Sequence, residues 1–259
     1  MPYYRRTIKS GRMVEVEYYY SIKERNKPSF GRSVRQSLTP EKQKRANDIR
    51  AEKSTRRLIA NNFTPGRDLY LTLRFYKDMT EEEADRYVNN FIRRLKYYCK
   101  KHGLPERKYV GALECGKLGK RWHLHLVLNE IDFKVLIKLW GQGPARIYVE
   151  ELYADGGFKD LAHYLRKDVT GKKRLKQSRN LIKPTERVTK IGKKKLREFE
   201  CGVAPDAPKG FYMSDFDFKY NDYTGTSAVF VFLSSAPVEV GKVELPFPNC
   251  AVDIGRIEE

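Results

Sequence analysis

The chain has 259 residues, enough for one sizeable core with extensions or for two small domains. Lysine and arginine number 52 against 33 acids, a formal charge of +19, and a surplus of that size repels itself in a compact chain unless a polyanion is the working partner. Nucleic acid is the first candidate and an anionic membrane surface the second, but no run approaches the roughly 20 apolar residues of a spanning helix.

The N-terminal MPYYRRTIKSGRM carries charge with no apolar stretch after it, so it does not read as a secretory signal. Residues 1–61 read as a basic arm ending in a helix. Between Arg32 and Arg57 lie nine basic and three acidic residues, and Thr39-Pro40-Glu41 is a helix start, with Thr39 at the cap and Pro40 at the first helical position. A helix from there to about Ala60 is polar nearly all round. Such a helix leans on another surface, DNA among them, or stands in solvent, and its residues leave both open.

From Asp68 the pattern becomes regular. DLYLTLRF, Asp68 to Phe75, alternates Leu69, Leu71, Leu73 and Phe75 with Tyr70, Thr72 and Arg74, which is a strand. Thr80 and Glu83 make a capping box, Ala84, Tyr87, Val88, Phe91, Leu95 and Tyr98 form the apolar stripe of a helix, and Gly103 ends it. Tyr109 to Cys115 and Trp122 to Leu128 are strands joined by the turn residues Gly116 to Lys120. Asp132 caps a short helix through Trp140, Arg146 to Val149 is a fourth strand, Gly156-Gly157 breaks it, and Phe158 to Val169 is a third helix. The order β-α-β-β-α-β predicts an α+β, ferredoxin-like antiparallel sheet with helices on one face, over residues 62–171. Residues 172–259 read as a basic linker and a β extension. Lys172 to Arg197 holds 12 basic residues and one acid, and the alternating Phe216, Phe218 and Tyr220 with Ala228 to Leu233 predict a hairpin. The four cysteines, Cys99, Cys115, Cys201 and Cys250, form no CxxC pair and fit reduced cytosolic thiols.

Three features carry chemistry. In WHLHLVL, strand alternation points His123 and His125 to one face and Trp122, Leu124, Leu126 and Leu128 to the other, so the histidines stand on the open face of the sheet. Two imidazoles side by side can share a divalent metal. Glu114, nine residues earlier across a short turn, falls on the face shared by Val110 and Ala112, where a hairpin brings it beside the histidines; read alone, it is sooner an edge-strand glutamate in solvent. In FKDLAHYLRKDV, Phe158, Leu161, Ala162, Leu165 and Val169 form the apolar stripe, and Tyr164 and Lys167 lie one turn apart off that stripe. Core packing does not account for the tyrosine. A surface tyrosine is the plain alternative in a chain that has 17.

Together these features resemble the HUH superfamily of replication initiators and relaxases. The matching segments are LYLTLRF at Leu69 to Phe75, HLH at His123 to His125 and YLRK at Tyr164 to Lys167, and the resemblance covers about Asp68 to Thr170. The basic helix ahead of the first strand and SRNLIKP at Ser178 to Pro184 narrow it to initiators of small single-stranded DNA phages and related bacterial plasmids or integrated elements. The resemblance implies Mg²⁺ or Mn²⁺ held by Glu114, His123 and His125, a tyrosine nucleophile at Tyr164 and a supporting Lys167. It further implies a 5′-phosphotyrosine intermediate and a single-stranded DNA origin or hairpin as substrate, in the cytoplasm of a bacterial host. No second tyrosine lies within a turn of Tyr164, so a one-tyrosine enzyme is expected. No GxxxxGK[ST] occurs, so unwinding falls to a host helicase. In the basic flank, Arg174, Lys176, Arg179, Lys183 and Arg187 are the candidates for DNA contacts. Phe216, Phe218 and Tyr220 serve either base stacking or, with better odds, a hairpin core. The rival readings are a non-catalytic ferredoxin-like nucleic-acid binder, against which the lack of an RNP1-like run counts, and a relaxase or single-tyrosine transposase with the same chemistry.

Overall fold

The structure, a computed structural model, describes residues 3–21, 41–116, 121–152, 157–167, 175–221 and 225–236. Sixteen segments follow in chain order: β1 (Tyr3–Ser10), β2 (Met13–Tyr20), α1 (Glu41–Asn62), β3 (Leu69–Arg74), α2 (Glu81–Lys101), β4 (Tyr109–Cys115), β5 (Trp122–Leu128), α3 (Phe133–Trp140), a 3₁₀ turn (Pro144–Arg146), β6 (Ile147–Glu151), α4 (Lys159–Lys167), β7 (Leu175–Gln177), β8 (Thr185–Ile191), α5 (Lys193–Glu200), β9 (Phe211–Asn221) and β10 (Gly225–Ser234). The strands form two antiparallel five-stranded sheets, so the chain is α+β as expected.

The first sheet runs β6-β3-β5-β4-β7. Each of the pairs β3/β4 and β5/β6, joined by a helix, leaves a gap that one strand of the other pair fills, the arrangement expected of a split β-α-β fold. Leu69, Leu71 and Leu73 of β3 and Leu124, Leu126 and Leu128 of β5 face Ala84, Val88, Phe91 and Leu95 of α2 and Leu136 and Trp140 of α3, in one buried cluster. The helix and cap expectations for this stretch hold, but the fourth strand runs Ile147–Glu151 rather than Arg146 to Val149, and Cys99 rather than Tyr98 continues the buried stripe of α2. The Thr80–Glu83 capping box forms, Asp132 accepts from the Val135 N–H, and Gly103 follows the end of α2 at φ +63°, where a residue without Cβ is unstrained. Trp140 is fully buried, and its indole N–H donates to the Arg74 carbonyl at 3.1 Å, which fixes the end of β3.

The opposite face differs from the expectation of an open sheet. Val110 and Ala112 of β4 and Val127 of β5 pack with Ile59 and Ala60 of α1, Leu165 of α4, Phe158 ahead of α4, and Met13 and Val231 of a second sheet. Helices therefore lie on both faces, α2 and α3 on one and α1 and α4 on the other. The polar α1 leans on the protein itself; its Thr39 and Pro40 start lies outside the described residues. The last part of helix 158–169 and the Gly156 break also lie outside them.

The second sheet, β8-β1-β2-β10-β9, joins segments from both ends of the chain. Tyr3 opposes both Tyr20 and Ile191, and Phe230 opposes both Val16 and Phe216. Val14, Val16 and Tyr18, with Ala228, Phe230 and Phe232, form a small core closed by Phe199 of α5. The β1/β2 hairpin and β8 were not expected from the sequence, whereas the β9/β10 hairpin was. Its aromatic row is not the hairpin core, however. Phe216 and Tyr220 are 60% and 75% exposed, and Phe218 alone is partly covered, stacked on Phe199 with centroids 5.1 Å apart. The row lies on an edge strand and meets no third layer beyond Phe199.

Candidate active site

Pairing of β4 with β5 sets Glu114 opposite His123 and Ala112 opposite His125, and pairing of β3 with β5 sets Thr72 opposite His125 and Arg74 opposite His123. Paired residues share a face, so Glu114, both histidines, Tyr70, Thr72 and Arg74 point to one side. Glu114 Oε2 lies 3.3 Å from His125 Nε2 and 3.6 Å from His123 Nε2. The ligand atoms of the three residues all fall within 4.8 Å of one another.

The outer nitrogens of the two rings are occupied. His123 Nδ1 is 3.3 Å from the Arg121 carbonyl, which accepts, so that ring carries its proton on Nδ1 and turns a bare Nε2 inward. His125 Nδ1 is 3.1 Å from both the Tyr70 hydroxyl and Thr72 Oγ1. These are the outward hydrogen bonds that hold a ligating imidazole in one tautomer and orientation. Two imidazoles and a carboxylate so turned fit a divalent metal, with coordination positions left for oxygen ligands.

Tyr164 completes the arrangement from α4. Its hydroxyl is 2.9 Å from His125 Nε2, and its ring stands perpendicular to the imidazole with centroids 4.7 Å apart. The helix places it there because Ala162 and Leu165, both buried, anchor the adjacent face. The start of α4 is pinned as well. Gly157 and Phe158 both have φ near +64°, and the Gly157 carbonyl accepts from Arg56 Nε at 2.9 Å. A Cβ on Gly157 would come within 2.9 Å of Leu233 and 3.0 Å of Arg56, so the second sheet and α1 press directly on this turn. Lys167 is exposed one turn beyond Tyr164. His163, exposed, pairs with Glu52 of α1 at 3.0 Å.

The flanking cations do not gather around this cluster. Lys176 of β7 bonds Asp85 at 2.5 Å and Asn89 at 3.2 Å, on the α2 side of the sheet. Arg179 and Lys183, both exposed, follow β7 at the end of the sheet away from Glu114, Arg187 projects from β8 in the second sheet, and Arg174 lies outside the described residues. Tyr70, Thr72 and Arg74 were the residues not singled out, although the alternation in DLYLTLRF already put them on the histidine face.

Residues 68–172 match the family model of replication-associated protein ORF2/G2P. That is a family of rolling-circle replication initiators, in agreement with the HUH-type resemblance. The matched replication-associated segment spans somewhat under half of the chain and contains Glu114, His123, His125, Tyr164 and Lys167. It supports a role in starting replication and, with that role, contact with DNA. No curated protein and no solved structure gives a significant match. Among the described residues no helix is long and apolar enough to cross a membrane.

Burial above all, with the neighbouring His123 and Arg74 adding to it, lowers the His125 pKa from its ordinary 6.5 to about 3. The ring is thus neutral and able to bind metal throughout the physiological range. Between those two values the unfolded chain takes up a proton that the folded one refuses. The stability this neutral ring allows is complete above about pH 6.5 and declines as the pH falls toward 3. Metal-free protein is expected to lose urea stability from pH 7 to 5, and His125→Gln to lose less over that range. Parallel slopes for the two proteins would remove His125 as the cause.

Proposed function

We propose that the chain is a metal-dependent, single-tyrosine endonuclease and strand-transferase that nicks single-stranded DNA to start rolling-circle replication. One observation supports this above the others: the Tyr164 hydroxyl rests 2.9 Å from Nε2 of His125, inside the Glu114–His123–His125 cluster. A surface tyrosine has no reason to sit there, and a nucleophile does.

In this reading the Tyr164 oxygen attacks the scissile phosphorus. The bond from phosphorus to the 3′-oxygen breaks as the bond to tyrosine forms, leaving a free 3′-hydroxyl and a 5′-phosphotyrosine. Glu114, His123 and His125 would hold Mg²⁺ or Mn²⁺, which would supply polarisation of the scissile phosphate and offset its developing charge. Thr72 and Tyr70 keep the His125 ring in place through Nδ1. Lys167, on the exposed side of α4, orients the tyrosine or pairs with a phosphate. Because one phosphodiester is exchanged for another, a later 3′-hydroxyl reverses the step and seals a circle with no external energy source. The substrate is a single-stranded origin or hairpin, and unwinding is left to a host helicase in the bacterial cytoplasm. The exposed flank cations Arg179, Lys183 and Arg187 serve phosphate contacts away from the cleavage point, whereas Lys176 is taken up by Asp85; Arg174 is a further candidate for a phosphate contact.

The test is a denaturing gel of purified protein with a labelled single-strand oligonucleotide library and Mn²⁺. A protein–DNA adduct that survives denaturation and disappears with chelator is the expected result. Tight single-strand binding with no adduct, across a diverse library and varied metals, would leave only the binding-module reading.

A further inference from the structure

On the same sheet face, past the histidines, two arginines lie against two exposed tyrosines. The Arg74 guanidinium sits 4.3 Å from the centroid of the Tyr148 ring and donates to its hydroxyl at 3.3 Å, and Arg146 sits 5.6 Å from the Tyr76 ring. Tyr76 is 68% exposed and Tyr148 39%. The placement follows from register. Thr72 opposes Tyr148, and Leu73 opposes Ile147 at the last paired position, so Arg74 at the end of β3 and Arg146 at the end of the 3₁₀ turn come next beyond the ladder. Among the described residues neither guanidinium has a carboxylate within ion-pair distance; Glu150, the acid on this face of β6, lies at the other end, opposite Tyr70.

We propose that Arg74, Tyr148, Arg146 and Tyr76 form the subsite that holds the single strand beside the scissile phosphate. The inference rests on the nickase reading for its substrate but not for its chemistry. Arg74 opposes His123 directly, so the subsite begins roughly 5 Å, one strand, from the metal cluster and reaches Tyr148 at roughly 10 Å. That distance suits the nucleotides next to the bond being cut. Unpaired cations fit phosphates, and exposed aromatic faces fit unstacked bases, a combination that single strands offer and duplexes do not. The site is also preorganised. Trp140 holds the Arg74 carbonyl, and the Tyr76 N–H donates to Gln142 Oε1 at 3.0 Å. Helix α4 packs toward β4, and among the described residues Tyr76 and Tyr148 stay exposed on this side of the sheet.

The experiment uses the full chain, metal-free, with a labelled oligo-dT single strand and with the same strand carrying 5-iododeoxyuridine. Photocross-links are expected at Tyr76 and Tyr148. Tyr148→Ala and Tyr76→Ala should each weaken binding about fivefold or more, while Tyr148→Phe, which keeps the ring, should bind as wild type. Arg74→Gln and Arg146→Gln should each reduce the slope of log affinity against log salt by about 0.7. Tyr97→Ala, an exposed tyrosine on α2, is the control and should change nothing. Cross-links elsewhere together with wild-type affinity in the alanine variants would overturn the proposal. The two readings fail separately. If adducts form but these variants bind normally, the subsite is wrong and the nickase stands; if no adduct forms yet the variants lose binding, the reverse holds.

Discussion

Tyr164→Phe is expected to abolish the covalent protein–DNA adduct, lowering the cleavage rate by roughly 10⁴-fold or more, because among the described residues the other hydroxyls at His125, those of Tyr70 and Thr72, lie at Nδ1 and not at the Nε2 side where Tyr164 sits. The substitution removes one hydroxyl from a partly exposed ring, so folding stability should change by only about 1 kcal/mol. Metal affinity should not fall. The Nε2 lone pair of His125 that receives the Tyr164 hydroxyl is the one a metal would use, and a lone pair serves one partner at a time. Losing the hydroxyl therefore leaves Nε2 free, and Mn²⁺ should bind the variant at least as well as wild type in a calorimetric titration. Single-strand affinity should hold too, since the Arg74 and Arg146 pairs are untouched. An adduct that persists in Tyr164→Phe would assign the nucleophile to another residue; a variant that loses metal along with activity would make Tyr164 a ligand instead.

The matched segment was the legible part of the chain, and the reason is local. WHLHLVL buries every second residue against α2, so alternation alone sends His123 and His125 to the same side, and a nine-residue offset across a short turn delivers Glu114 to them. The α4 stripe worked the same way: Ala162 and Leu165 are buried, and Tyr164 is left off that stripe. What alternation cannot supply is the identity of the neighbour. Tyr70 and Thr72 were on the right face, but only pairing with β5 makes them hydrogen-bond partners of His125. Lys176 counted as one more cation in a basic run until β7 paired with β4 and turned it toward Asp85. The second sheet left the least trace. TERVTKI in β8 has no buried residue, so it shows no burial period; its partner β1 lies about 180 residues away and holds it through backbone hydrogen bonds. A sheet joined from both ends of the chain is set by such distant pairings, which no window of sequence contains.

That second sheet is tied to α1, and through it to α4 with its Tyr164, by a buried charge cluster, where the other large effect is expected. Glu15 of β2 is 1% exposed, with Arg57 of α1 bonded to it through Nε and Arg56 4.0 Å away; Arg57 also reaches Glu17 at 2.7 Å, which Arg6 holds from the other side at 3.3 Å. Arg56 in turn donates to the Gly157 carbonyl at the start of α4. Removing one partner of a buried ion pair leaves a desolvated charge, so Arg57→Ala should cost about 3–5 kcal/mol in urea unfolding. Arg57→Ala with Glu15→Met, which removes the stranded carboxylate and keeps apolar volume, should recover much of that loss, whereas two independent sites would add their costs. The functional corollary separates this cluster from the metal site. In the surviving folded fraction of Arg57→Ala, Mn²⁺ affinity should match wild type, because Glu114, His123 and His125 all lie on β4 and β5. The rate of adduct formation should fall, because the tyrosine depends on a helix whose first turn is braced by α1. A proportional loss of both would mean that the sheet, rather than α4, is what the cluster supports.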